Sequence, residues 1–393
     1  MTTVLDTNRR QFLQFLAASP LLSAVPGFNF TQAADLVGKP GEAIDIFDLE
    51  ATAMGNIPTA HWGYLATGVN DDSTLRANRT AFEKYFVRAR RLLDVVNVDT
   101  SVEILGRKWP TPIVLAPLGS QRAFHAEGEL AVARAAKARD HLQVLSTVSS
   151  TAVEEVVEAR RDPVWFQLYT MGGWQGVQSR LRRAEAAGCP VVVLTVDMAG
   201  GTAARHSLMR AVRNDSRDCA VCHQGGGIAA RGKPMLNGSD RDAEISLTWE
   251  FLDRLKQDTT MKVFVKGIVT AQDAERCLEL GVDGIIVSNH GGRADDSGRG
   301  AIDSLAEVAS AVRGRTTLFM DSGIRRGVDI FKALALGADA IMVGRPYIWG
   351  LGAFGQPGVE RALDILTAEL QVAMQSFGTP SIADIGPDSI GIS

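Results

Sequence analysis

The chain has 393 residues, 46% hydrophobic and 22% charged, a balance that can bury a large core and so excludes a disordered chain or a disulfide-stapled miniature. Its 41 basic and 45 acidic side chains leave a formal charge of −4 with no long basic run, which removes the electrostatic footprint of a nucleic-acid binder. Four cysteines are too few for a disulfide framework, and the length suits one large barrel or two to three ordinary domains.

The N-terminus reads as an address. Asn8-Arg9-Arg10-Gln11-Phe12-Leu13-Gln14 opens an apolar stretch over residues 12–25 that is broken by Ser19-Pro20 and is too short to span a bilayer. A charged start, an apolar middle and small residues such as Ala33 and Ala34 have the layout of an export signal. The paired arginines resemble the twin-arginine signal, which addresses proteins that have already folded. Residues 1–34 are therefore expected to be a twin-arginine-type export signal, residues 35–393 a single domain, and the location periplasmic or otherwise exported. A frayed amphipathic N-terminus is the plainer alternative. No other segment has eighteen uninterrupted apolar residues.

Past about residue 100 one pattern repeats: a short β-rich run, a polar or glycine turn, then a helical segment. The runs are residues 112–116, 142–145, 164–168 and 191–194, then, after a long gap, 262–265, 284–287, 317–320 and 340–343. Near-continuous Val, Ile and Leu of that length reads as parallel strands covered on both faces. Helical patterns fall between them, as at 127–137, 153–159, 271–280 and 328–336. Eight such units over roughly 250 residues predict a (β/α)8 TIM barrel with an N-terminal helical segment and a long loop after the fourth strand. A doubly wound open sheet competes, but no Gly-x-Gly-x-x-Gly turn comes after the first run.

The residues at the end of each run point to chemistry. Pro117 follows the first, Ser146 the second, and Tyr169 the third, which also contains Gln167. Thr195 and Asp197 follow the fourth and Lys266 the fifth; Ser288, Asn289 and His290 follow the sixth, Asp321 and Ser322 the seventh, Gly344 and Arg345 the eighth. In a barrel these positions share the C-terminal rim, where the active sites of this fold are built. Asp321-Ser322-Gly323-Ile324-Arg325-Arg326-Gly327 and Val343-Gly344-Arg345-Pro346 supply glycines, backbone N–H groups and arginines for a phosphate between the last two strands. Glycine turns with solvated arginines are the bland alternative.

Ser288-Asn289-His290-Gly291-Gly292-Arg293, preceded by Val265-Lys266-Gly267 and succeeded by Asp321-Ser322-Gly323-Ile324-Arg325-Arg326-Gly327, resembles the FMN-dependent L-2-hydroxy acid oxidoreductases. The similarity runs over residues 46–377. It implies FMN as cofactor and oxidation of an L-lactate-like 2-hydroxy acid to the 2-oxo acid. His290 would be the base and Asp197 the carboxylate that steadies its imidazolium. Arg293 would clamp the substrate carboxylate, with Tyr64 and Tyr169 as phenols on substrate carboxylate and hydroxyl. Lys266 would sit beside flavin N1 and O2. Ser146, Gln167, Thr195 and Ser288 would bond the isoalloxazine or ribityl chain. Asp321 and Ser322 would hold the ribityl end, and Gly323, Arg325, Gly344 and Arg345 the phosphate. The resemblance also implies a homo-oligomer, a tetramer, and no metal.

Two departures stand out. The first strand of that family ends Ala-Pro-Thr-Ala, whereas here it reads Ala116-Pro117-Leu118-Gly119-Ser120. Leu118 removes a hydroxyl from near the flavin, and Gly119 removes a methyl beside N5, which is expected to open space for dioxygen or a bulkier substrate. The second carboxylate arginine is expected where Ala204 stands, and a one-residue insertion would deliver Arg205 instead. The connection 200–245 is too long for an ordinary βα loop, and by resemblance it can touch a membrane or partner. Cys219-Ala220-Val221-Cys222-His223 within it matches a c-type haem attachment signature; a redox pair, a weak metal site or plain loop thiols are alternatives. Cys189 and Cys277 read as buried packing residues.

Reoxidation by a quinone or cytochrome is expected, with an oxygen-using oxidase or lactate 2-monooxygenase as the first rival. A flavin-free barrel using Lys266 as a Schiff-base lysine and a non-catalytic binding module are more distant ones.

Overall fold

The computed structural model describes residues 36–198, 205–214, 233–236 and 246–393; the expected signal at 1–34 and the Cys219, Cys222, His223 cluster lie outside them. The eight apolar runs form β1 (Ile113–Leu115), β2 (Leu142–Ser146), β3 (Trp165–Leu168), β4 (Val191–Thr195), β5 (Lys262–Ile268), β6 (Gly284–Val287), β7 (Thr317–Met320) and β8 (Ala340–Val343). Each pairs in parallel with its neighbour, and β8 closes on β1 through Ile341–Ile113, Met342–Val114 and Val343–Leu115. The expected (β/α)8 barrel is the fold.

Alternation along the strands sorts the core into two shells. Val114, Val144, Trp165, Val193, Phe264, Phe319 and Met342 point into the barrel, while Ile113, Leu115, Phe166, Leu168, Val192 and Leu194 face the surrounding helices. Trp165, Phe264 and Phe319 fill the interior as a trio, with ring centroids 4.8, 5.7 and 5.6 Å apart. An antiparallel hairpin, Val102–Ile104 with Arg107–Trp109, packs Ile104 and Trp109 against the same interior cluster. Its strands are too short to show in the apolar pattern, although Leu105-Gly106, both at positive φ, marks the two-residue turn.

The helices that matter for the rim are α1 (Ile46–Asn56), α2 (Thr59–Ala66), α3 (Ser73–Thr80), α4 (Gly128–Ala138), α5 (Val153–Arg160) and α6 (Gly173–Ala186). After β4 come α7 (His206–Asn214), α8 (Trp249–Asp258), α9 (Ala271–Glu279), α10 (Ala301–Val312), α11 (Gly327–Ala335), α12 (Arg345–Phe354) and α13 (Gln356–Phe377). α4 is alanine-rich and buries Ala131, Val132, Ala135 and Ala136 at the three- and four-residue spacing of one face. The connection expected as a loop contains α7, which packs against α2. Cys189 and Cys277 are buried as expected, and burial pushes both thiols up to about 12. Among the described residues no helix is long and apolar enough to cross a membrane.

Candidate active site

The β-strand C-termini and the last turn of α2 surround an open cavity whose empty space, counted out into its mouth, is about 790 Å³. Tyr64, Pro117, Leu118, Gly119, Ser146, Tyr169, Lys266, His290, Arg293, Asp321, Ser322, Gly323, Arg325, Gly344 and Arg345, all expected from the sequence, line it. Residues from every quarter of the chain meet there because a closed barrel places all strand ends on one rim.

His290 stands at φ +58 between β6 and two further left-handed residues, Gly291 and Gly292. A side chain in that region is strained and persists only where its surroundings hold it. Here the hold is specific: His290 N donates to Ser288 Oγ at 3.0 Å, and Nδ1 lies 2.7 Å from Asp197 Oδ1. That leaves Nε2 3.5 Å from the Tyr169 hydroxyl. Asp197 reaches the ring because the following strand offers Gly267 at φ +111, where a Cβ would lie 2.7 Å from Asp197 Cβ. Burial opposes ionisation of Asp197, but His290 and Lys266 outweigh it and hold the carboxyl below its ordinary range. Burial raises the Tyr169 phenol and keeps it protonated.

Lys266 is buried, with Nζ donating to Ser288 Oγ at 2.7 Å and lying 3.0 Å from Asp321 Oδ2. Burial disfavours its charge; Asp321 and Asp197 outweigh that and raise its pKa. Ser288 in turn donates to Asp321 Oδ1 at 2.6 Å. Gln167 and Thr195 are buried next to the lining residue Ser146. They stand behind the lining, Gln167 Nε2 donating to Thr195 Oγ1 at 3.0 Å and Gln167 Oε1 accepting from Ser146 Oγ at 3.1 Å. Ser288 likewise braces Lys266 and Asp321 from behind the lining.

Two guanidiniums meet at the substrate end. Arg293 donates to the carbonyls of Tyr64 and Thr67 and stacks 4.1 Å from the Tyr64 ring. Arg205, one past the expected Ala204, donates to the Arg293 carbonyl at 3.3 Å. Burial and then Arg293 lower the Arg205 pKa. Arg293 Nη2 and Arg205 Nε are both buried with no protein acceptor among the described residues. Orphaned, buried, cationic donors beside one another are a site for an anion, and two guanidiniums match a carboxylate.

At the far end, Arg325 stacks on Trp349, and burial together with Arg79 pulls its pKa down to about 10. Arg345 is pulled down to about 9 by burial, Arg325 and Arg293. Crowded, depressed cations of this kind are what a phosphate would relieve. Gly344 is the N-cap of α12, and nothing lies nearer than Ala116 Cβ, 4.0 Å from where a side chain would start. The residues present therefore fit a phosphorylated planar cofactor. Arg345 has a second task the sequence does not disclose: it donates to the carbonyls of Leu65, Gly291 and Thr67, leaving two of its five N–H groups for an anion.

The space expected beside Gly119 is not there. A Cβ on Gly119 would lie 2.4 Å from Val148 Cγ2 and 2.9 Å from the Val148 carbonyl, so the volume surrendered by glycine is filled by valine from the next rim turn. Val148, Met342 and Ile324 line the cavity without any polar signal to announce them. Asn78 is also missed: it exchanges amide hydrogen bonds of 2.8 and 2.7 Å with Asn289, a tie between α3 and the His290 loop invisible in linear order.

A barrel with a half-buried base, a carboxylate clamp and a phosphate end around one cavity is a cofactor-dependent oxidoreductase in form. The family profile described as FMN-dependent dehydrogenase matches residues 53–391, and the chain belongs to that family of FMN-dependent 2-hydroxy acid oxidoreductases. FMN is its cofactor. The chain is 40% identical over 348 residues to an L-lactate oxidase of Lysinibacillus sphaericus, covering 85% of this chain and 89% of that one. It is 38% identical over 342 residues to a 4-hydroxymandelate oxidase of Amycolatopsis orientalis, covering 86% and 96%. A crystal structure of mandelate oxidase with benzoyl-formic acid superposes with a TM-score of 0.79 at 36% identity, covering 89% of this chain and 98% of that one.

Proposed function

We propose that the protein oxidises an L-lactate-like 2-hydroxy acid to its 2-oxo acid, with His290 as the base and oxygen as the final acceptor. Bound FMN supplies the two-electron acceptor. Arg293 and Arg205 hold the substrate carboxylate through their unpartnered N–H groups, and Tyr64 and Tyr169 orient it. With Nδ1–H given to Asp197, His290 Nε2 is the nitrogen free to take a proton beside Tyr169. The substrate loses two electrons and two protons: one proton goes to His290, whose new charge faces the Asp197 carboxylate, and the electron pair with the other proton would pass to the bound FMN and from it to oxygen, giving peroxide. Lys266 puts a fixed positive charge on the cofactor side, held by Asp321.

The observation that carries this reading is His290, paired with Asp197, opening on the same cavity as Arg293, whose guanidinium keeps an orphaned buried donor and has Arg205 behind it. Anaerobic mixing of the yellow protein with a panel of L-2-hydroxy acids tests it: bleaching of the flavin is expected, and no bleaching with any of them overturns it. Peroxide formed in air in proportion to substrate consumed supports the oxygen acceptor, in line with the relatives named as oxidases. A second reading, transfer to a quinone or cytochrome, draws support from Arg9-Arg10, since an exported enzyme works beside a respiratory membrane. Cell fractionation with an Arg9→Lys, Arg10→Lys variant tests export, and an unchanged location would end it.

We also propose a homo-oligomer, a tetramer by family resemblance. Leu92 at φ +61 is 105% exposed and Val96 79%, apolar surface that a single chain leaves wet. Light scattering of wild type and Leu92→Asp tests it. Met209 and Val212 of α7, exposed beside Arg210 and Arg213, support peripheral membrane contact, testable by sedimentation with anionic vesicles.

A further inference from the structure

Glu129, in the first turn of α4, is completely buried and lies outside the cavity lining. Its Oε1 accepts from Gln121 N at 3.1 Å and Ser150 N at 2.7 Å. Its Oε2 accepts from the Ser150 hydroxyl at 2.9 Å and the Thr151 hydroxyl at 3.0 Å. Gln121 belongs to the turn after β1, and Ser150 and Thr151 to the turn after β2. Those two turns supply Pro117, Leu118, Gly119 and Val148 to the cavity wall, next to Ser146 at the end of β2.

The turns are braced elsewhere through the same residues. Gln121 Nε2 donates to the Leu118 carbonyl at 3.0 Å and to the Tyr347 hydroxyl at 3.2 Å, and Tyr347 donates to the Ala116 carbonyl at 2.8 Å. Ser120 N donates to the Val148 carbonyl at 3.0 Å from a left-handed backbone at φ +59, a conformation disfavoured for serine unless it is held. Gly119 meets Val148 with no room for a methyl between them. A buried carboxylate that accepts from two backbone N–H groups and two hydroxyls, on both sides of so tight a contact, leaves little freedom in how the turns meet.

We propose that Glu129 is a positioning residue for the oxidation: its carboxylate clamps the β1 turn to the β2 turn and so sets the wall of Leu118, Gly119 and Val148 against the bound flavin. This rests on the reading of the cavity as the flavin and substrate site. Because the substrate carboxylate is held by Arg293 and Arg205 on other elements, loosening this wall acts on turnover more than on substrate binding.

The test uses FMN-loaded Glu129→Gln, with Asp283→Asn as a comparison. Asp283 accepts from Val263 N at 2.8 Å at the opposite end of the barrel, so its loss weakens the fold without touching the rim. Glu129→Gln is expected to change the visible circular dichroism of bound FMN and to lower kcat about tenfold or more, with KM within about twofold. Asp283→Asn is expected to lose thermal stability and change neither. A wild-type dichroism band and kcat in Glu129→Gln would overturn the proposal, as would an equal kcat loss in Asp283→Asn at matched stability. If Glu129→Gln does not fold, Glu129→Asp, one methylene shorter, carries the same comparison. If no 2-hydroxy acid bleaches the wild type, the proposed activity fails, and the dichroism arm still judges the clamp.

Discussion

His290 is held between a carboxylate and a phenol, its Nδ1 2.7 Å from Asp197 Oδ1 and its Nε2 3.5 Å from the Tyr169 hydroxyl. The carboxylate fixes which nitrogen carries the proton and which accepts one, and its charge is worth most when the ring becomes cationic. Asp197→Asn should therefore lower kcat by about 10²-fold or more while leaving FMN bound, as steady-state kinetics with a flavin count will show. The depressed Asp197 carboxyl sets the direction of the pH effect. A group whose folded pKa lies below its unfolded value stabilises the fold above the unfolded value and loses that contribution as pH falls through the folded one. The stability gap between wild type and Asp197→Asn should accordingly be full at neutral pH and close in strong acid, measured by urea denaturation across pH.

Arg205 and Arg293 should cost the protein stability that, in the proposed function, the substrate carboxylate returns. Each holds a buried N–H with no acceptor among the described residues, and their like charges oppose each other. Replacing Arg205 by Met should leave the protein without substrate as stable as wild type or about 1 kcal/mol more so, while KM rises at least about tenfold. Arg293→Lys should also raise KM, since a point charge cannot reproduce the guanidinium fork. Thermal melts with and without a 2-oxo acid separate the two effects.

Gly119→Ala should destabilise the fold by about 1–3 kcal/mol, because the new methyl lands on Val148. Gly119→Ala with Val148→Ala should recover part of that loss, with the Val148 carbonyl at 2.9 Å limiting the recovery. Denaturation midpoints of the two single variants and the double decide whether the positions are coupled.

Lys266→Met should cost about 3–5 kcal/mol at neutral pH, because it leaves Asp321 buried beside an uncharged neighbour. A lysine whose pKa is raised on folding contributes stability that is complete below its unfolded value and is lost as pH rises through the higher folded one. The wild-type advantage over Lys266→Met should therefore stay flat from pH 6 to about 9. A loss of that advantage near neutrality would contradict the assigned ion pair.

The strands were legible because parallel strands covered on both faces must be apolar throughout, and the polar residue ending each run marks the rim. Lys266, His290 and Asp321 could be read this way, since backbone geometry alone puts strand ends together. Val148, Asn78 and Glu129 could not. Val148 is an ordinary apolar residue just beyond Ser146, Asn78 sits mid-helix in α3, and Glu129 looks like any solvated first-turn glutamate. Their significance lies in partners 29, 211 and 21 residues away: Gly119, Asn289 and Ser150.

Order and spacing along the chain determined the barrel, the rim and the residue types gathered there, because periodicity and strand ends are local properties. Only the tertiary structure decided how those residues are used. Arg345 is occupied by three carbonyls, Gln167 and Thr195 stand behind the wall, and the room beside Gly119 is taken by Val148. Occupied volume and satisfied hydrogen bonds depend on atoms brought together from distant parts of the chain, and no local pattern encodes them.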